Sequence, residues 1–66
     1  MLLKKGMIVK LSEDSTWYNP DADKYSDNPT CLGFINAVFP HNSHCYSVKW
    51  DNGTDNVYMA NELELS

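Results

Sequence analysis

The chain has 66 residues, 42% of them hydrophobic and 21% charged, and a formal net charge of −4. That length admits one domain, 1–66, and ordering it costs on the order of 100 kcal/mol at about 1.5 kcal/mol per residue, so nearly every large apolar side chain has to be buried. The composition excludes wholesale disorder, and the acidic balance argues against a general nucleic-acid binder, which needs a basic face for phosphates.

Met1-Leu2-Leu3 runs directly into Lys4-Lys5, and no apolar run is long enough for a signal peptide or a membrane span. A soluble, cytoplasmic protein without a membrane partner is the expectation. Residues 6–11 form a β-prone run with Met7, Val9 and Leu11 on one face and Lys10 on the other, which predicts strand one. From Ser12 to Thr30 no period of 2 or 3.6 survives. Asp14, Asp21, Asp23 and Asp27 punctuate Ser, Asn and two prolines, and the stretch reads as a long acidic loop, 12–30. Trp17, Tyr18 and Tyr25 within it argue for order, since aromatic side chains find something to pack against.

Strand two is predicted from about Cys31 to Phe39, with a turn at Pro40–Ser43 that sets Gly33 opposite Trp50, Ile35 opposite Val48 and Ala37 opposite Tyr46. Small residues then face large rings. In that register Cys31 and Cys45 lie roughly 20 Å apart at about 3.3 Å per residue, too far for a disulfide, and both are expected as thiols. The strongest local signal is Tyr46–Tyr58, where Asn52-Gly53 reads as the two-residue type I′ turn of a β-hairpin. A two-residue loop sets Val48 opposite Val57 and Tyr46 opposite Met59. Tyr46, Val48, Trp50, Val57 and Met59 then share the buried face, and Ser47, Lys49, Asn56 and Tyr58 the other. Strand four is expected over Asp55–Met59, a helical or 3₁₀ turn at Ala60–Glu62, and a last short strand at Leu63–Leu65. The expected fold class is all-β, a five-stranded SH3-like antiparallel barrel with a long loop between strands one and two. Val9, Leu11, Ile35, Ala37, Tyr46, Val48, Trp50, Val57, Met59 and Leu63 form its predicted interior.

Gly33-Phe-Ile, Tyr46-Ser-Val-Lys-Trp-Asp-Asn-Gly, Asn56-Val-Tyr58 and Glu62-Leu63 resemble the pattern G-x-V…V-x-W-x-D/N-G…Y…L of small SH3-like barrels of the Tudor, KOW and Mind bomb type. The resemblance covers the C-terminal half plus strand one, and its residues are structural: turn, core Trp, closing Leu. The long acidic loop departs from the pattern. In size and acidic character the chain also resembles small accessory proteins of bacteriophages.

No catalytic signature emerges. Asp21, Asp23, Tyr25 and Asp27 lack the glycine and closing glutamate of a calcium loop. His41, His44, Cys45 and Cys31 cannot converge as a zinc site in the expected register, and no orienting group or oxyanion hole accompanies a Cys–His pair. Asn52-Gly53-Thr54 matches a glycosylation acceptor, but the turn explains it. No enzyme, cofactor or metal is expected. The leading expectation is a non-enzymatic interaction module that binds a protein surface or peptide, one with a basic surface. Its candidate residues are Trp17, Tyr18, Asp21, Asp23, Tyr25 and Asp27 on the loop, with Phe34, Lys49 and Tyr58 on the adjacent sheet face. The competing structural reading has the loop aromatics covering Phe34 and Tyr58. Two rival functions are a nucleic-acid-associated Tudor/KOW-like module, held back by only five lysines, and an acidic inhibitor or decoy docking on a basic site of a larger enzyme.

Overall fold

The computed structural model describes residues 3–66. Five short strands, β1 (Ile8–Leu11), β2 (Gly33–Val38), β3 (Tyr46–Trp50), β4 (Asp55–Tyr58) and β5 (Leu63–Leu65), form one antiparallel sheet in the order β4-β3-β2-β1-β5. A 3₁₀ turn at Ala60–Glu62 leads into β5, as expected. No ladder joins β4 to β5, so the sheet is open, with those two strands as its edges.

The alternation of residues sets which face is inward. Val9, Leu11, Ile35, Tyr46, Val48, Trp50 and Leu63 are all buried, as their spacing predicts. Gly33 pairs with Trp50 because nothing larger fits. A Cβ there would lie 2.6 Å from Trp50 Cε3 and 2.7 Å from the Lys49 carbonyl oxygen.

Two registers differ from expectation, each by one residue. The β3–β4 connection has three residues, Asp51-Asn52-Gly53, closed by Gly53 N–H to Trp50 O at 3.0 Å and Trp50 N–H to Thr54 O at 2.8 Å. Gly53 has φ +90°, and among the described residues no non-glycine has a positive φ. A type I′ turn needs a positive φ at Asn52, whereas a three-residue loop asks it only of the glycine. The pairs become Lys49–Asp55, Val48–Asn56, Ser47–Val57 and Tyr46–Tyr58. Because side chains alternate, that one extra loop residue turns the whole of β4 over. Tyr58, expected on the outer face, is 0% exposed, whereas Val57 and Met59, expected inside, are exposed. The Tyr58 ring meets Trp50 edge to face, centroids 5.7 Å apart at 75°.

The second difference is a bulge in β2 between Ile35 and Ala37, after which Ala37 pairs with Ser47 and Val38 with Tyr46. The extra residue, Asn36, moves Ala37 out of the predicted interior to a half-buried position. Leu3 joins the core instead and donates its backbone N–H to the Tyr46 hydroxyl at 3.4 Å. Cys31 and Cys45 are free thiols.

Candidate functional site: the segment between β1 and β2

Between β1 and β2 the chain makes turns and bends only. Its order comes from a relay of short polar side chains. Backbone turns close from Ser15 N–H to Ser12 O, Tyr18 to Ser15, Ala22 to Asn19 and Ser26 to Asp23. The residue that opens each turn also accepts, through its side chain, the N–H two positions on. Asp14 donates to Ser12 Oγ, Trp17 to Ser15 Oγ, Asp21 to Asn19 Oδ1 and Tyr25 to Asp23 Oδ1, and Asn28 continues the series to Ser26 Oγ. Ser, Asn and Asp favour turns because of this local bond.

Both ends of the relay are tied to the sheet. At the start, Ser12 N–H donates to the Glu62 carbonyl oxygen at 2.8 Å, and Ser15 Oγ to the buried Glu62 carboxylate at 3.4 Å. The same carboxylate accepts Met59 N–H at 2.8 Å. At the exit, Asn52 Nδ2 donates to Ser26 O at 2.9 Å, and the Thr54 hydroxyl lies 3.2 Å from that oxygen. The Tyr58 hydroxyl accepts Trp50 Nε1–H at 3.2 Å and shares its one proton between Asn28 Oδ1, at 2.6 Å, and Asp27 O, at 3.0 Å. Asn56 Nδ2 also reaches Asn28 Oδ1, at 3.3 Å. Burial pushes the Tyr58 phenol up to about 12, with the nearby Glu62 and Asp27 carboxylates adding to the rise and hydrogen bonds from its neighbours opposing it.

Tyr58 is thus a clamp on the segment and leaves the set of exposed candidates. Tyr18 is half-buried against the core. Trp17, at 50% exposure, and Tyr25, at 72%, face solvent, as do Asp21, Asp23 and Asp27. The Lys24 ammonium sits 5.1 Å from the centre of the Tyr25 ring. Phe34 and Lys49 are exposed on the outer sheet face, in a cross-strand row Ile8–Phe34–Lys49–Asp55. The loop aromatics therefore do not bury Phe34. The Tyr58 hydroxyl is held by the segment's exit, through Asp27 and Asn28.

The charge is as unevenly placed as the aromatics. Residues 12–30 hold five carboxylates (Glu13, Asp14, Asp21, Asp23, Asp27) against one lysine, while outside them four lysines match four carboxylates, so the whole net charge of −4 lies in this segment. Among the described residues the one ion pair is Lys10–Glu64, at 3.9 Å on the sheet. Where the segment passes the hairpin tip the two border a cavity of about 400 Å³ that is open to solvent, lined by Ala22, Asp23, Lys24, Pro29, Thr30, Cys31, Asp51 and Asn52. Of these only Asp23 belongs to the expected set of site residues, and Cys31, Asp51 and Asn52 lie outside the expected loop altogether. The recurrence of Ser, Asn or Asp at 12, 15, 19, 23 and 26 was the available sign of ordered turns, but partners 26–47 residues away carry no local signal.

The described residues contain no group of three or more His, Cys, Asp or Glu able to hold a metal ion, and no helix long and apolar enough to cross a membrane. No family model, curated protein or solved structure matches the chain.

Proposed function

We propose that this chain is a non-enzymatic interaction module that recognises a basic protein surface or peptide through the acidic segment 12–30. The observation that carries the reading is a coincidence in one place. The segment holding all the net charge also holds the two exposed loop aromatics, and it is tied to the sheet at both ends. Exposed Trp and Tyr on an ordered support anchor interfaces because little side-chain freedom remains to be lost on binding. Uniform charge steers an oppositely charged partner toward them. The strand order, with the 3₁₀ turn returning β5 beside β1, supports an SH3-like fold for the module. Phe34 and Lys49 on the outer sheet face are secondary candidates, because the neighbouring Asp55 offsets the lysine's charge there.

Selection from a displayed library of random dodecapeptides tests this. Peptides rich in Lys and Arg should be recovered, with association rates that fall with salt more than dissociation rates rise. The triple variant Asp21→Asn, Asp23→Asn, Asp27→Asn should bind them at least tenfold more weakly, about 1.4 kcal/mol. Undiminished binding by the folded triple variant removes the segment from the interface.

A further inference from the structure

We infer that the cavity between the segment and the hairpin tip receives one basic side chain of the partner, a refinement that rests on the reading above. At about 400 Å³ it lies in the lower part of the range of ligand pockets and has ample room for one extended side chain, stem and head together. Its lining is mostly apolar, with Ala22, Pro29 and Cys31 suited to an aliphatic stem, and it sets two acidic residues, Asp23 and Asp51, against one lysine, Lys24, a balance that favours a cationic head. Neither carboxylate has an ion-pair partner among the described residues, and the ammonium of Lys24 sits 5.1 Å from the centre of the Tyr25 ring.

The backbone around the cavity is tied before any ligand arrives. Asp23 Oδ1 is held by Tyr25 N–H at 2.8 Å. Asp51 N–H donates to Leu32 O at 3.0 Å, joining the hairpin tip to the exit of the segment. Asn52 is bound on both sides, its Nδ2 to Ser26 O and its Oδ1 accepting Thr54 N–H at 3.0 Å. Pro29 is buried. A stem-and-head ligand therefore meets a preformed slot, whereas Asp14, Asp21 and Asp27 do not line the cavity and can only attract a cation diffusely.

The test is an amide-shift titration of the ¹⁵N-labelled protein with N-acetyl-arginine methylamide and its lysine analogue. The citrulline analogue, which keeps the arginine shape without the charge, is the control. Saturable shifts focused on Asp23, Lys24, Cys31, Asp51 and Asn52 are expected, with the citrulline compound at least tenfold weaker. Asp51→Asn and, separately, Asp23→Asn, which preserves the turn acceptor, should each weaken the arginine compound at least fivefold without disturbing the rest of the spectrum. Equal binding of citrulline, or shifts spread over Glu13, Asp14 and Asp21 with no focus at the cavity, would overturn the inference. If selected basic peptides still bind while the probe shows no focus, the cavity alone fails. If no basic peptide binds the wild-type protein, the functional reading beneath it fails.

Discussion

The β3–β4 hairpin and the segment between β1 and β2 are held in shape by opposite means. The hairpin buries Tyr46, Val48, Trp50 and Tyr58, and apolar contact fixes its register. The segment has few large side chains inside, and turn bonds from Ser, Asn and Asp hold it, with polar ties at each end. The two meet at Asn28, where the hairpin's buried Tyr58 hydroxyl becomes the segment's fastening. Burial creates stability and takes those four side chains out of a partner's reach, leaving only the hairpin's tip and outer face exposed. Local polar turns add little stability but hold Trp17, Tyr25 and three aspartates in the open. Substitutions in the two regions should therefore separate stability from binding.

The largest effect is expected in the hairpin. Trp50→Ala removes a fully buried ring together with the Nε1–H donor to Tyr58, and should cost about 3–5 kcal/mol, enough to unfold most of a domain this small. Chemical denaturation followed by circular dichroism reads it.

At the fastening itself the effect is intermediate and pH-dependent. Tyr58→Phe keeps the ring against Trp50 but leaves Trp50 Nε1–H without its acceptor and Asn28 Oδ1 without the hydroxyl, a loss of about 1–3 kcal/mol. The phenol also predicts an alkaline signature. Folding raises its pKa from 10.0 to about 12, so above pH 10 the unfolded chain releases a proton that the folded chain retains. The stability is complete below the unfolded value and falls as pH rises through this window, by on the order of 3 kcal/mol. Wild type should lose its advantage over Tyr58→Phe between pH 10 and pH 12 in paired unfolding titrations. A constant difference across that range would contradict the clamp.

The smallest effect on stability belongs to the segment. Changing Asp21, Asp23 and Asp27 together to Asn should leave the melting temperature nearly unchanged, because these carboxylates are solvated and the amide oxygen of Asn can still accept the Tyr25 N–H at position 23. A large drop in melting temperature would mean that the segment carries the fold and is not merely held by it.

How far the fold could be read from the sequence follows the same division. β1, β2, β3, the 3₁₀ turn and β5 were legible because alternation and turn residues are local signals. The pairings Gly33–Trp50 and Ile35–Val48 were legible because size complementarity is local to a pair. The facing of β4 was not, since Asn-Gly serves both two- and three-residue loops. What distinguishes them is whether Tyr58 or Val57 finds partners inward, and those partners include Asn28, thirty residues earlier. The bulge at Asn36 left no trace in the alternation either. In the segment, the acids and aromatics were legible as a candidate surface, but the ties to Glu62, Asn52, Thr54 and Tyr58 were not, because hydrogen bonds between polar side chains distant in sequence have no periodicity. The cavity follows from those ties and was hidden with them.

Backbone ¹⁵N relaxation reads out whether the segment, though largely exposed, is ordered in the free protein. Order parameters for Ser15–Asn28 are expected close to those of the strands, about 0.8, with Trp17 and Tyr25 included. Values below about 0.6 through that stretch, with the strands rigid, would contradict it.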